Sequence, residues 1–596
     1  MKQFWVTFFG SIVGVVVGSM LAFILAIFII VGMISAATSS LNQTPTVAHA
    51  DGGSVLTLDL REGRLDQPSN SPFAFAEATS MVDVVRTLEA AERDENIRGL
   101  FLRANEFGMA PAAAEELRAA ISSFQDSGKF VIAHAQGFEG TSVTGYFAVA
   151  GADEIWLQDT AAFAASGLAS EVMFLGGLFE RFNAQPEFEQ FHEYKNAADT
   201  YTQTTFTEPH REATLSYMTS IYETAVDEIA TDRELSSDAV NALFENAPYS
   251  AEAAQEAGLV DTLGHVVNAR EAALDRAGEN SDFVDLAEYA LTLGSWSPGP
   301  TIALIEGQGA IVTGSGEAGA FGGSEMIGGD AMADAIEAAT EDDKVRAIII
   351  RVDSPGGSAI ASDQVWNSII RAREAGKPVI VSMATVAASG GYYIAAPADY
   401  VVAHATTITG SIGVLGGKIV LDGTFDMVGL NVETLSVGGE FATAFSSQEA
   451  WTETQREAYR TQMEHIYEDF TGRVADGRDL PLERVLEIAR GRVWTGAQAQ
   501  EIGLVDEIGG LRTAIAAARE IAGIAEDERI NLKRFPEQLT GLEAFYALFG
   551  LSAETAESAA RLNALMEMPE VQAALQARQD MSQQGVQMRT TAPVPH

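Results

Sequence analysis

The sequence contains no cysteine, and this absence removes several kinds of chemistry. Disulfide bonds, thiolate nucleophiles and cysteine-based zinc sites are all excluded. Histidine is also scarce, because the eight His residues are scattered and form neither an H-E-x-x-H motif nor a close cluster with carboxylates. We therefore predict no metal site and no cofactor.

Basic residues are few, since 37 Lys and Arg stand against 83 Asp and Glu, for a formal net charge of −46. Such a chain repels phosphate backbones, so nucleic acid is not expected as a partner, nor is broad docking on anionic lipid. We interpret the acidic residues as a solubilising surface. A chain of 596 residues is too long for one core, and its alternating helix and strand patterns favour α/β layers in two or more domains.

Charged residues are also missing from the stretch between Trp5 and Ala37. This apolar stretch is long enough to cross a bilayer of roughly 30 Å, whereas a cleaved signal peptide has an apolar core of about 7–15 residues. An A-H-A sequence at 48–50 nevertheless resembles a cleavage site. We predict an uncleaved transmembrane anchor over 1–37 and a linker over 38–50. Lys2 precedes the span and favours a cytoplasmic N-terminus, with the bulk of the protein outside the cytoplasm.

The rest of the chain contains a long internal repeat. Residues 143–147 (VTGYF) match 389–393 (SGGYY) at an offset of 389 − 143 = 246, and 256–261 (EAGLVD) match 501–506 (EIGLVD) at 245. Further matches at offsets of 245 and 248 are Met218, Ile221, Tyr222 and Glu223 with Met463, Ile466, Tyr467 and Glu468, and Arg103 with Arg351. The predicted domains are a first repeat over 51–297, a second over 298–535, and a tail over 536–596 that begins helical and ends disordered.

The stretch around Ser389 is the main candidate site. An apolar run over 378–383 predicts a buried strand, and the small residues after Ser389 predict a helix. A hydroxyl at a helix entrance lies beside free backbone amides and the positive end of the helix dipole, which stabilise a nucleophile and an oxyanion. Helix capping is the other interpretation of Ser389. The motif also departs from G-x-S-x-G, because Ala387 replaces the first glycine.

A glycine-containing loop at 353–358 (DSPGGS) follows a second predicted strand over 345–352. Glycine in such a loop lets a backbone amide approach a ligand closely, because no Cβ intervenes. Together with the Gly390 amide, this loop could form an oxyanion hole. A tight strand-to-helix turn is the alternative interpretation.

A serine hydroxyl is a poor nucleophile unless a base activates it. His404 fits the end of a strand rather than a catalytic triad. Lysine can serve as the base if its surroundings keep it neutral, but neither Lys418 nor Lys533 has a distinctive setting. In the first repeat, Lys195 lies among aromatic and small residues in 191–198 (FHEYKNAA), although a lone lysine is usually a solvated surface charge.

Taken together, four motifs resemble the signal peptide peptidase A (protease IV) family in its long, duplicated, membrane-anchored form, over about residues 1–550. They are 385–393 (TVAASGGYY), 353–357 (DSPGG), 409–413 (TGSIG) and 194–197 (YKNA). The resemblance implies two tandem ClpP/crotonase-like domains and a Ser/Lys dyad divided between the repeats. The residues it implies are the nucleophile Ser389, the general base Lys195, the oxyanion-hole glycines Gly356 and Gly390, and the supporting residues Ser411, Gly357 and Gly391. Asn196 stands where the family has Ser, which concerns fine tuning rather than the dyad.

The resemblance also implies an activity and a location. The expected protein is a serine endopeptidase that degrades cleaved signal peptides and other short or unfolded apolar peptides. It would be anchored in the bacterial inner membrane by its N-terminal helix, with its catalytic domains on the periplasmic side. We predict a homotetramer arranged as a closed ring, because split half-sites on similar domains suggest that first and second repeats alternate around an axis.

The duplication gives a check on the divided dyad. Val143 is the counterpart of Ser389 and precedes Lys195 by 195 − 143 = 52 residues, so an undivided ancestor would have held serine and lysine in one copy. In the second repeat the stretch at 440–441 replaces the lysine. Pairing within one chain and pairing between chains both remain open. The competing functions are an acyl-CoA enzyme on the same fold, which needs a carboxylate at the site, and a catalytically silent scaffold.

Overall fold

The structure, a computed structural model, describes residues 52–68, 79–293, 299–316 and 326–537. All of them belong to one compact unit. The predicted anchor over 1–37, the linker over 38–50 and all but the first two residues of the tail over 536–596 lie outside these ranges. Within the described ranges, no helix is both long enough and apolar enough to cross a bilayer.

Strands and helices alternate along the described chain, as the sequence pattern predicts for α/β layers. The strands are β1 Ser54–Asp59, β2 Ile97–Arg103, β3 Phe130–Ala135, β4 Glu154–Leu157, β5 Ala162–Phe163, β6 Gln185–Phe191, β7 Tyr249–Ser250, β8 Thr262–Leu263, β9 Asp282–Asp285, β10 Thr301–Gln308, β11 Ala310–Val312, β12 Met326–Gly328, β13 Val345–Ser354, β14 Val379–Ala388, β15 Tyr400–Ala403, β16 Ile408–Gly410, β17 Val414–Val420, β18 Val493–Thr495, β19 Glu507–Ile508 and β20 Asn531–Arg534.

The helices are α1 Met81–Glu92, α2 Pro111–Asp126, α3 Val143–Phe147, α4 Gly176–Arg181, α5 Asp199–Thr202, α6 Glu208–Asp232, α7 Ser237–Glu245, α8 Ala251–Glu256, α9 Val266–Ala277, α10 Leu286–Thr292, α11 Gly329–Glu341, α12 Ala359–Glu374, α13 Gly390–Ala395, α14 Asp422–Met427, α15 Glu453–Gly477, α16 Leu482–Ile488, α17 Gly496–Glu501 and α18 Leu511–Ile521. Short 3₁₀ turns cover Asn196–Ala198 and Glu440–Thr443.

The two halves of the chain build sheets with the same strand order. In the first half the order is β8-β4-β3-β2-β1-β9, and all neighbours are parallel. In the second half β19-β15-β14-β13-β10-β20 repeats this order, again with parallel neighbours, while β16 and β18 extend the sheet beside the end of β14. Apolar side chains fill the central strands because helices cover the faces of such sheets.

Equivalent side chains make the same contacts in both halves. The Tyr146 hydroxyl donates a hydrogen bond to the Leu259 carbonyl oxygen at 2.6 Å. The Tyr392 hydroxyl, its counterpart in the second half, donates to the Leu504 carbonyl oxygen at 2.9 Å. The repeat in the sequence is therefore also a repeat in the structure.

The second half follows the predicted order of elements with some shifted bounds. The strand predicted over 378–383 extends to Ala388, because its last three residues pair with β16. The long helix α15 covers Glu453–Gly477. A capping box at Thr452 fixes the start of that helix.

One antiparallel ribbon joins the two halves. Strand β6 of the first half pairs with β17 of the second, from Val414 opposite Phe191 to Val420 opposite Gln185. The residue numbers of each pair therefore add up to 605. Helix α15 packs against both strands of this ribbon, and the chain leaves β6 only a few residues before Lys195.

A buried ionic cluster also joins the halves. Arg351 of β13 contacts Asp66 and Glu116 of the first half, and Glu116 lies 3.3 Å from His404 of the second half. Burial opposes a charge on His404, but Glu116 nonetheless raises the pKa of that imidazole above its usual value. Buried charges of this kind are stable only when they remain paired.

Candidate active site

Ser389 lies in the turn between β14, which ends at Ala388, and α13, which begins at Gly390. Its φ and ψ angles are +54° and −116°. A non-glycine residue held in such a sparsely populated region costs about 1–3 kcal/mol. A strained turn from a strand to a helix is the setting of a nucleophile elbow, here without the usual flanking glycine pattern. The Ser389 side chain forms no capping hydrogen bond, so the helix-cap interpretation is wrong.

The glycines after Ser389 permit close approach between backbone segments. A Cβ atom on Gly390 would lie 2.6 Å from Ser362 Oγ, and one on Gly391 would lie 2.9 Å from the Ser354 carbonyl oxygen. Both distances are too short for any side chain. The segment after Ser389 therefore packs directly on the end of β13 and on α12.

The loop after β13 reaches the same place. Gly356 has a φ of +99°, and a Cβ there would lie 2.6 Å from the Gly390 nitrogen; on Gly357 it would lie 2.1 Å from the Ile311 carbonyl oxygen. Only glycine fits these positions. The Gly356 amide donates to Ser354 Oγ at 3.1 Å, whereas no acceptor in the described ranges binds the Gly390 amide. Of the two predicted oxyanion-hole amides, the one of Gly390 is thus without an internal partner.

Lys195 is carried by the first half of the chain and held in place by the second. The Arg490 carbonyl oxygen accepts hydrogen bonds from the amides of His192 and Tyr194, at 3.2 and 3.3 Å. Gly491 has a φ of +81°, and a Cβ there would lie 2.5 Å from the Cβ of Lys195. The backbone of the second half therefore presses directly against the lysine.

The side chains of Lys195, Ser389 and Ser411 meet within one chain. Lys195 Nζ lies 2.9 Å from Ser389 Oγ, 2.8 Å from the Ser411 carbonyl oxygen and 3.0 Å from Ser411 Oγ. A neutral amine has two N–H groups and one lone pair. The two oxygens of Ser411 can accept the two N–H groups, which leaves the lone pair for the Ser389 hydroxyl. The roles of nucleophile and general base remain predictions.

The surroundings of the lysine favour its neutral form. Lys195 is 6% exposed, and burial lowers the pKa of its amine to about 7. No nearby carboxylate in the described part of the chain opposes this shift. Glu193 lies in the turn after β6 and pairs with Arg490 at 2.7 Å. Phe191 supplies an apolar wall and stacks on Tyr467.

Comparison with known proteins places the chain in a family. A model of peptidase family S49 matches residues 123–279 and 371–525. The Arabidopsis thaliana protein named "Serine protease SPPA, chloroplastic" is 31% identical over 540 residues, which is 89% of this chain and 78% of that protein. The chain belongs to peptidase family S49.

Other matches extend over the same length. The S49 peptidase is 29% identical over 534 residues to Protease 4 of Haemophilus influenzae, covering 85% of this chain and 84% of that protein. Because the family model matches once in each half, the duplicated unit is an S49 domain. Among solved structures, a ClpP1 mutant from Listeria monocytogenes matches with a TM-score of 0.23 and 14% identity, over 36% of this chain and 94% of that chain.

Two residues at the site of this S49 peptidase were not predicted from the sequence. Ser354 lies inside the recognised loop, but its hydroxyl gains a partner only when the loop folds back onto Gly356. Gly491 stands between Arg490 and Arg492, a pattern typical of a surface turn. The sequence around it carries no signal that it lies against Lys195.

Proposed function

We propose that this S49 peptidase is a serine endopeptidase in which Ser389 is the nucleophile and Lys195 the general base. The observation that carries the proposal is the 2.9 Å contact between Lys195 Nζ and Ser389 Oγ inside a buried, carboxylate-free setting. Both residues come from one chain, so the dyad needs no second copy. An acyl-CoA enzyme would need a carboxylate at this position.

The reaction follows from the geometry. Neutral Lys195 Nζ takes the Ser389 hydroxyl proton as Oγ bonds to the carbonyl carbon of a peptide. Negative charge then develops on the carbonyl oxygen, beside the Gly390 amide and the glycine loop. The lysine returns the proton to the leaving nitrogen as the C–N bond breaks, which leaves an acyl ester on Ser389. Water, deprotonated by the same amine, hydrolyses the ester and restores the serine.

The proposed substrates are cleaved signal peptides and other short or unfolded apolar peptides. Support comes from the resemblance to signal peptide peptidase A and from the name of the Arabidopsis relative. We further propose that residues 1–37 anchor the protein in the bacterial inner membrane, with the two repeats on the periplasmic side. The apolar sequence of that stretch and the preceding Lys2 support this topology.

A fluorophosphonate probe tests the proposal on the full-length protein in detergent. It should label Ser389, and Ser389→Ala and Lys195→Met should each lose both the label and peptide hydrolysis. Ser142→Ala is a matched control, because Ser142 caps the equivalent turn of the first repeat. Labelling that persists in Ser389→Ala would place the nucleophile elsewhere, and a wild type that is never labelled would favour a silent scaffold.

A further inference from the structure

Two segments of the chain carry exposed apolar side chains and pair with no strand in the described ranges. Residues 426–442 are exposed without a break, and within this run Leu435 is 97% and Val437 is 100% exposed. Residues 168–174 in the first half also lie outside every sheet, and Met173 is 72% exposed there. Apolar side chains concentrated on unpaired backbone mark an interaction surface.

The internal repeat identifies what the exposed run corresponds to. Helices α4 and α14 are equivalent, because their first residues differ by 422 − 176 = 246. The next turn is equivalent too, because Asn183 and Gly429 both have positive φ, and the Ala184 and Leu430 amides both donate to a carbonyl five residues earlier at 2.9 Å. The same offset makes 431–437 the counterpart of strand β6.

The same offset assigns the other segment. Strands β5 and β16 are equivalent, since each pairs antiparallel with the strand that follows the long helix of its half. Gly167 and Gly413, which are related by this offset, follow these strands. Residues 168–174 are therefore the counterpart of strand β17. The two partnerless segments are the second copies of the two strands that form the ribbon.

Inside one chain the ribbon joins β6 of the first repeat to β17 of the second. The complementary combination would join 431–437 of the second repeat to 168–174 of the first, and the chain does not form it. We propose that this second ribbon forms between two copies of the protein. The strands would be antiparallel, as in the internal ribbon. Residues 431–437 are numbered 246 above β6 and residues 168–174 are numbered 246 below β17, so the numbers of two paired residues again add up to 605.

The side chains that join the internal ribbon to helix α15 can be compared with the equivalent side chains at the proposed interface. Glu187 and Glu189 of β6 point at helix α15, where Arg456 Nη2 lies 2.7 Å from Glu187 and Arg460 Nη1 lies 3.2 Å from Glu189. Any second ribbon should present complementary groups at the equivalent positions. The helix equivalent to α15 is α6, since the residues that cap the two helices are both threonines and differ by 452 − 207 = 245.

Both pairs remain complementary at the proposed interface. Glu187 corresponds to Glu433 and Arg456 to Arg211, so an acid again faces an arginine. Glu189 corresponds to Leu435 and Arg460 to Leu215, so an ion pair becomes an apolar contact, with both members changed together. Within the described ranges, neither Glu433 nor Arg211 has an ion-pair partner, and Leu215 is 56% exposed.

A cleft of about 480 Å³ runs along the same face of α6, and Arg211 and Leu215 line it. The equivalent face of α15 is filled by the ribbon of its own chain. Each copy thus presents 431–437 in its second half and the α6 face with 168–174 in its first half. Such a contact is heterologous, and repeated head to tail with a rotation that closes it gives the ring of alternating repeats expected from the sequence.

Because the chain has no cysteine, disulfide cross-linking in the full-length protein tests the register directly. Facing residues of an antiparallel pair have Cα atoms about 4.5 or 5.5 Å apart, which a disulfide spans. One variant carries Ala169→Cys with Ser436→Cys, and another Met173→Cys with Val432→Cys; both pairs add up to 605. After oxidation in detergent, both should give linked dimers and larger multimers on non-reducing gels.

Two crossed variants serve as matched controls with the same four cysteines. Ala169→Cys with Val432→Cys and Met173→Cys with Ser436→Cys add up to 601 and 609. Their cysteines would be displaced by four residues, about 13 Å along the strands. Cross-linking should therefore be on the order of tenfold slower.

Leu415→Cys with Gln190→Cys is the internal control, because this pair faces within one chain. It should form its disulfide without any dimer. If it does so while both in-register variants stay monomeric, the second ribbon does not exist. Equal rates for in-register and crossed variants would overturn the proposed pairing as well.

Charge reversal tests the helix contact independently of cysteines. Arg211→Glu and Glu433→Arg should each raise the dissociation constant between copies on the order of tenfold, because like charges then face each other. The double variant should recover most of the affinity in sedimentation measurements. Arg93→Glu, on an exposed helix end of the first repeat, should have no effect. A double variant as weak as the single ones would contradict the contact.

Discussion

At the scale of single residues, the site depends on one amine that burial keeps close to neutrality. The Lys195 pKa falls to about 7 from an ordinary value of 10.5, and burial is the cause. The charged form therefore predominates below this pKa and the basic form above it. Ser411 accepts two N–H groups, so loss of the third proton frees the lone pair on the side of Ser389.

We predict that kcat/KM rises with pH along a single limb centred near pH 7, because only neutral Lys195 can act as a base. Lys195→Arg should be inactive at every pH from 6 to about 9, since the arginine pKa exceeds 12. Lys533→Arg, on β20 of the second half, should keep the wild-type profile. A pH series of peptide hydrolysis measures all three. Substantial turnover by Lys195→Arg would reduce the lysine to a substrate-positioning role.

Gly491→Ala should impair catalysis by displacing Lys195. The new Cβ would lie 2.5 Å from the Lys195 Cβ, and φ is +81°, so the lysine must shift. A displacement near 1 Å at a reacting group can lower the rate on the order of 100-fold. Gly472→Ala, in open space on α15, is the control and should keep full activity. Kinetics with thermal melting distinguish a misplaced lysine from an unfolded protein.

The sequence was enough to predict which residues form the candidate site. It was not enough to predict their backbone angles and their contacts. The family resemblance carried by the motifs implied Ser389 and Lys195, which the structure brings into contact. The backbone strain of Ser389 could not be foreseen, because φ depends on how β14 and α13 are anchored elsewhere. The role of Gly491 was equally hidden, since the lysine it contacts belongs to the other repeat.

At the scale of elements, the ribbon of β6 and β17 carries the lysine to the serine. Its pairing links segments from opposite halves of the chain, so local patterns cannot reveal it. The alternation of polar and apolar residues in the β6 sequence, QPEFEQF, also predicts the wrong buried side chains. The buried face of this strand carries Glu187 and Glu189 beside Phe191. Those acids are buried only because Arg456 and Arg460 meet them from α15.

Disturbing the ribbon should therefore abolish activity before it unfolds the protein. A Cβ added by Gly417→Ala would lie 2.2 Å from the Glu187 carbonyl oxygen, which forces the strands apart. We expect peptide hydrolysis to fall on the order of 100-fold, as for other displaced catalytic groups. Gly63→Ala has open space around it and should behave as wild type. If Gly417→Ala keeps its activity, Lys195 is positioned without the ribbon.

At the scale of the whole molecule, the two repeats share one architecture, but equivalent residues in them make different contacts. Strand order is the same in both sheets, as the duplication in the sequence indicates. Arg103 and Arg351 occupy equivalent positions yet differ in surroundings. Arg103 donates to Gln136 near the surface at 3.2 Å, whereas Arg351 is buried and holds acids from the other repeat.

Arg351→Ala should destabilise the molecule far more than Arg103→Ala. Removing the buried arginine leaves Asp66 and Glu116 without their cation, a change that costs about 3–5 kcal/mol. Removing its surface counterpart should cost less than about 1 kcal/mol. Denaturant unfolding of both variants measures the difference. Similar losses would mean that the cluster contributes nothing specific to the joining of the repeats.

The long separation between the lysine and its support has a consequence during synthesis. Gly491 follows Lys195 by 491 − 195 = 296 residues, and the ribosome adds about 5–20 residues per second, so roughly 15–60 s separate the two. In a growing chain, Lys195 is synthesised long before Ser389 and before Gly491, which packs against the lysine. The proposed dyad is therefore incomplete until the residues up to Gly491 have been added. Under the proposed mechanism, peptide hydrolysis begins only after Gly491 has been synthesised and has packed against Lys195.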